Sequence, residues 1–136
     1  MARSGRFMLK FNPFLGLLLA PLLLAGCATP TNITNLTPRT AVRNANGLYP
    51  VEVEWKSRQQ TMRRETIKPA VMIGNEFYPM RPAPLLKNRW ETLIPLPVDQ
   101  EYVHYRIKFD YDYNSIPVPR QDSKLSPPYQ LRIVEK

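Results

Sequence analysis

The sequence predicts an all-β sandwich, and three observations carry that expectation. Apolar and polar residues alternate with period two in several stretches, most plainly over Tyr102–Tyr113. Turn-forming Gly, Pro and Asn recur every eight to fifteen residues or so along the chain. Beyond the first thirty residues, no stretch carries the apolar spacing of an amphipathic helix.

The elements follow in chain order. Residues 33–41 read as a first edge strand, where Pro38 is tolerable because an edge leaves its missing N–H unused. Asn44, Ala45, Asn46 and Gly47 form a turn by composition. From Leu48 the period becomes two: Tyr49, Val51, Val53 and Trp55 point one way, and Glu52, Glu54 and Lys56 the other. A half-buried strand reads this way.

The polar run 57–66 is a loop or a twisted strand extension. Gly74 and Asn75 then separate two strand-like runs, and Gly at the first central position suits a type II′ turn. A hairpin of 68–73 with 76–81 is therefore expected. Pro79, Pro82 and Pro84 end the pairing and extend the next connection. Trp90, Thr92, Ile94 and Leu96 mark another strand.

In the longest strand, Val103, Tyr105, Ile107, Phe109, Tyr111 and Tyr113 share the apolar face. Tyr102, His104, Arg106, Lys108, Asp110 and Asp112 share the wet one. Its length places it centrally, as the spine of the core. Residues 114–128 read as a long proline-rich loop, and Tyr129, Leu131 and Ile133 as the final strand. About seven strands result, an antiparallel sandwich of immunoglobulin type that has no disulfide partner for its tryptophans.

Upstream lies a different kind of segment. Arg3, Arg6 and Lys10 precede an apolar block over 11–24, which ends at Leu24-Ala25-Gly26-Cys27. A basic lead, a short apolar stretch and small residues at the cut describe a helical secretory signal peptide. A retained membrane helix needs about 20 apolar residues, and this block is shorter and contains Pro13 and Pro21. A free thiol after an ordinary signal-peptidase cut is the other alternative.

Leu24-Ala25-Gly26-Cys27 resembles the lipobox of bacterial lipoproteins. That resemblance implies cleavage between Gly26 and Cys27, a diacylglycerol on the Cys27 sulfur and attachment to the lipid bilayer. Two or three acyl chains hold a protein durably where one does not. Ala28 in place of Asp implies, by the same resemblance, sorting to the outer membrane. The expected organisation is a signal peptide over 1–26, a lipidated cysteine with a flexible tether over 27–40, and a sandwich over 41–136. The combination is similar to small lipoproteins of Gram-negative bacteria. The order of features over 51–113 also resembles small immunoglobulin-like modules, starch-binding ones among them, found beside polysaccharide-active enzymes.

Removing 1–26 leaves 110 residues and takes away Arg3, Arg6 and Lys10, so the formal charge falls from +8 to +5. That moderate excess fits anionic headgroups or a solvated surface, and nucleic acid is not an expected partner in this compartment. Cys27 is the only cysteine, so once acylated it leaves no thiol for a disulfide or a metal site. The two Asn-x-Thr matches at Asn32 and Asn35 are coincidental beside a bacterial lipobox.

Catalysis is not expected. His104 is the only histidine and stands on a wet strand face, and no Gly-x-Ser-x-Gly occurs. Asp110, Asp112 and Asn114 copy the opening of a calcium loop, but Ser115 and Gln121 stand where that loop needs Gly and Glu. No metal and no cofactor are therefore expected.

Binding residues are easier to name. Tyr102, His104 and Arg106 line one wet face, where an exposed aromatic ring beside polar groups could stack on a sugar. Trp55, Trp90 and Tyr78 are the other aromatic residues to consider for such a platform. The two tryptophans lie on the apolar sides of their strands, which makes the core their default place. Arg63 and Arg64, with Arg58, could clamp a phosphate or carboxylate. The expected role is a non-catalytic structural or interaction module that docks on another envelope protein, with carbohydrate binding as the alternative.

Overall fold

The computed structural model describes residues 32–136, and these residues form ten β-strands and no helix. Signal peptide, cleavage point and Cys27 lie outside the described residues. The strands are β1 (Asn32–Asn35), β2 (Thr40–Val42), β3 (Leu48–Lys56), β4 (Met62–Ile73) and β5 (Glu76–Pro79). They continue as β6 (Arg81–Pro82), β7 (Arg89–Pro95), β8 (Tyr102–Tyr113), β9 (Arg120–Leu125) and β10 (Tyr129–Val134).

Two sheets pack face to face. One has the order β1-β3-β7-β6; the other runs β2-β10-β8-β4-β5, with β9 also paired to β8. This is the ABED and GFC arrangement of an immunoglobulin-type sandwich. All pairs are antiparallel except β2 with β10.

The alternation read from the sequence decides which faces meet. Tyr49, Val51, Val53 and Trp55 of β3 are buried, as are Val103, Tyr105, Ile107, Phe109 and Tyr111 of β8. Trp90 and Ile94 of β7, Val71 of β4, and Leu131 and Ile133 of β10 complete the core between them. A strand can bury alternate residues only against a second layer, so the period of two implied the sandwich.

The hairpin forms in the expected register, with Ile73 opposite Glu76. Gly74 has φ 59° while Asn75 has no positive φ, which is the II′ pattern. Its second strand ends at Pro79; Met80 donates its N–H to the Pro69 carbonyl, and the chain then crosses to the other sheet as β6.

The strands differ from the sequence reading in three further places. The first edge strand is split: β1 pairs with β3, and β2 lies parallel to β10 in the opposite sheet. At the crossing, Glu52 donates its N–H to the Thr37 hydroxyl, which donates in turn to the Glu52 carbonyl, at 2.9 and 3.2 Å. Residues 32–35 of the expected tether are thus paired strand.

Residues 114–128 are not one loop, because β9 pairs with β8 from Lys108–Leu125 to Tyr113–Arg120. Its side chains are mostly exposed, so its sequence RQDSKL has no apolar period to read. Finally, β4 begins at Met62, so half of the polar run is strand. A bulge between Arg63 and Lys68 absorbs its irregularity.

Candidate functional site

Outward-facing positions of the larger sheet form the surface to which the sequence assigned a ligand. Tyr102, His104 and Arg106 stand in one column on β8, because residues two apart on a strand point the same way. Their cross-strand neighbours are Arg132, Gln130 and Met72. The structure therefore brings these three candidates together.

Tyr102 is 44% exposed, and the Arg132 guanidinium lies over its ring, 5.9 Å from the centroid. One ring face is thereby occupied by a cation. Further along, Met72 pairs with Phe77, which is exposed on the edge strand β5 with the Lys108 ammonium 5.8 Å from its ring.

Arg63 and Arg64 do not converge. Adjacent residues on a strand point to opposite faces, and here Arg63 meets the Glu65 carboxylate at 3.2 Å while Arg64 donates to the Asn88 side-chain oxygen at 3.2 Å. Arg63 pairs with Asp112, about 20 Å along β8 from Arg106 at the usual strand rise. No single anion meets both arginines in this arrangement.

Both tryptophans belong to the core, Trp55 with 2% and Trp90 with 8% of its surface exposed. A flat platform for a sugar therefore lacks the two residues it would have needed most. Trp55 lies against the rings of Phe109 and Tyr111, and its indole N–H has no partner among the described residues.

An open cleft of about 760 Å³ lies where β4, β8 and β9 meet, lined by Glu65, Lys68, Lys108, Asp110, Asp112 and Asp122, among others. Some of its charges are paired: Lys108 reaches Asp110 at 3.2 Å, Glu65 meets Arg63 at 3.2 Å and Asp122 meets Lys124 at 3.9 Å. The Thr66 hydroxyl accepts the Asp112 backbone N–H at 2.8 Å. Among the described residues, no group of three or more His, Cys, Asp or Glu side chains could hold a metal ion.

At the floor of this cleft, burial of Tyr111 pushes its phenol up to about 12, helped by a hydrogen bond and the charge of Asp122. The hydroxyl lies 3.0 Å from the Asp122 carboxylate and 3.2 Å from the Gln59 side-chain oxygen. Glu65 is held below the usual carboxylate range, first by its own backbone N–H and then by Arg63. Tyr78 is raised, chiefly by its hydrogen bond to Glu76.

Sequence reasoning passed over 83–88 and 114–119 as connections. Leu85, Ile116 and Val118 stand there as exposed apolar side chains. The signal available was composition: two short loops that carry Leu, Ile and Val among their Pro, Asn and Ser, and no Gly. No protein-family model matches this chain, and no curated protein matches it either.

Proposed function

We propose that this chain is a lipid-anchored lipoprotein of the bacterial outer membrane, whose sandwich serves as a non-catalytic interaction module. The reading rests on Leu24-Ala25-Gly26-Cys27, placed five residues before the first strand of the domain. Export, cleavage before Cys27 and acylation of its sulfur follow from that motif. The edge strand β5 supports the interaction role: its outer side has no strand partner among the described residues, and its own Phe77 is exposed. A partner strand from an envelope protein can add to such an edge through main-chain hydrogen bonds.

Carbohydrate binding is the weaker reading, because Trp55 and Trp90 are buried and Tyr102 carries Arg132 on one face. Metabolic labelling with palmitate tests the proposal. The parent protein is expected to take up label and Cys27→Ser to remain an unlabelled, uncleaved precursor. Label on Cys27→Ser would remove the lipoprotein assignment.

A further inference from the structure

One end of the sandwich is unlike the other. Strand directions bring the loops 57–61, 83–88 and 114–119 together there: the Asn114 N–H donates to the Thr61 carbonyl, and the Trp55 N–H to the Asn88 carbonyl. At the tips, Leu85 is 105%, Ile116 93% and Val118 60% exposed. These three loops contain no Asp or Glu, and Arg58, Lys87 and the adjoining Arg120 are exposed and make no ion pair among the described residues. The opposite end carries Asp99, Glu101 and Glu135.

The domain also begins at the apolar, cationic end. Asn32 pairs with Lys56, the last residue of β3 before loop 57–61. Cys27 is five residues upstream of Asn32, and five residues span at most about 18 Å when fully extended.

We propose that this loop end is a second membrane contact, seated on the anionic surface of the bilayer to which the chain is anchored. This proposal rests on the reading that Cys27 is acylated. The short reach from Cys27 keeps the loop end next to the headgroups. Leu85, Ile116 and Val118 enter the interfacial layer, where apolar side chains leave water, and Arg58, Lys87 and Arg120 lie among lipid phosphates. Pro84, Pro117 and Pro119 restrict the backbone around the apolar tips, so little freedom is lost on contact. Leu85 itself sits at φ 60°, a conformation that leucine rarely adopts and that turns its side chain fully outward.

The test uses the lipidated mature protein with one added cysteine, Leu85→Cys at the loop end or Val98→Cys at the other. Cys27 is a thioether when acylated, so only the added thiol takes an environment-sensitive fluorophore. The protein is then reconstituted in phosphatidylethanolamine vesicles with or without phosphatidylglycerol. The label at position 85 is expected to be quenched by nitroxide lipids at least about twofold more than the label at 98, with the excess requiring phosphatidylglycerol. It should disappear in Arg58→Glu/Lys87→Glu/Arg120→Glu, and Ile116→Cys provides a second probe of the same end.

Equal quenching at both ends, or indifference to phosphatidylglycerol, overturns the docking. Burial of the label only after solubilised envelope protein is added assigns the surface to a protein partner and overturns it as well. Label on the parent protein, which has no added cysteine, overturns the anchor and the orientation that depends on it.

Discussion

Trp55 of β3 and Phe109 of β8 meet across the sandwich with ring centroids 4.6 Å apart and planes tilted by 38°. These strands hold the two positions that a disulfide joins in antibody domains. No cysteine occurs in residues 32–136, so aromatic packing links the sheets here. Trp90 adds an edge-on contact to Phe109 at 5.6 Å, and Phe109 is fully buried. Phe109→Ala is therefore expected to cost about 3–5 kcal/mol by urea unfolding, through lost transfer energy and the cavity left behind. A loss under about 1 kcal/mol, well outside the range for a buried Phe, would contradict this packing.

Ser126 joins β9 and β10 into one interrupted strand beside β8. Its buried hydroxyl accepts the Ile107 N–H at 2.8 Å, and its own N–H donates to the Ile107 carbonyl at 2.9 Å. Pro127 and Pro128 follow and have no N–H to offer the ladder. Ser126→Ala leaves the Ile107 N–H buried without a partner, which costs about 1–3 kcal/mol. The Ile107 amide should then exchange with solvent faster than those of Val103 and Tyr105, as hydrogen-exchange NMR can show.

Gly47 and Gly74 both have positive φ, 65° and 59°, but differ in surroundings. A Cβ at Gly47 would stand 3.1 Å from the Leu96 carbonyl oxygen, whereas one at Gly74 meets nothing within 4 Å. Gly74→Ala is expected to cost the left-handed penalty alone, about 1–2 kcal/mol. Gly47→Ala should cost more, because the Leu96 carbonyl also accepts part of the crowding. Thermal melts of the two variants compare them directly, and equal losses would remove the steric component.

Tyr111 makes stability fall at alkaline pH. Its phenol is raised to about 12 in the folded protein, chiefly by burial and then by Asp122, while the unfolded group titrates near 10. The unfolded chain therefore loses this proton first. The contribution is complete below pH ~10 and is lost as pH rises towards ~12, an amount on the order of 2 kcal/mol. Tyr111→Phe should flatten that segment of the stability–pH curve; an unchanged slope would reject the assignment.

Strand β8 was legible to the residue because it has one wet and one buried face, so each of its twelve positions reports its side. Edge strands carried no such record. In β9, RQDSKL pairs through its main chain while its side chains remain mostly in water, and its composition resembles a loop. Pro38 was read inside one edge strand but lies in the connection between β1 and β2, and the move of the chain between sheets depends on Thr37 bonding to Glu52, fifteen residues away. Arg63 and Arg64 looked like a clamp because they are adjacent, and adjacency on a strand is what separates them. The apolar loop end was illegible for a related reason, since only the strand order brings Leu85 and Ile116 to the same end.

The mass of the mature protein tests the lipoprotein proposal most directly. Protein extracted from the envelope with detergent should begin at Cys27 and exceed the mass of residues 27–136 by a diacylglyceryl group, with or without one further acyl chain. A mass that still includes residues 1–26, or an unmodified Cys27 at the start of the chain, would contradict it.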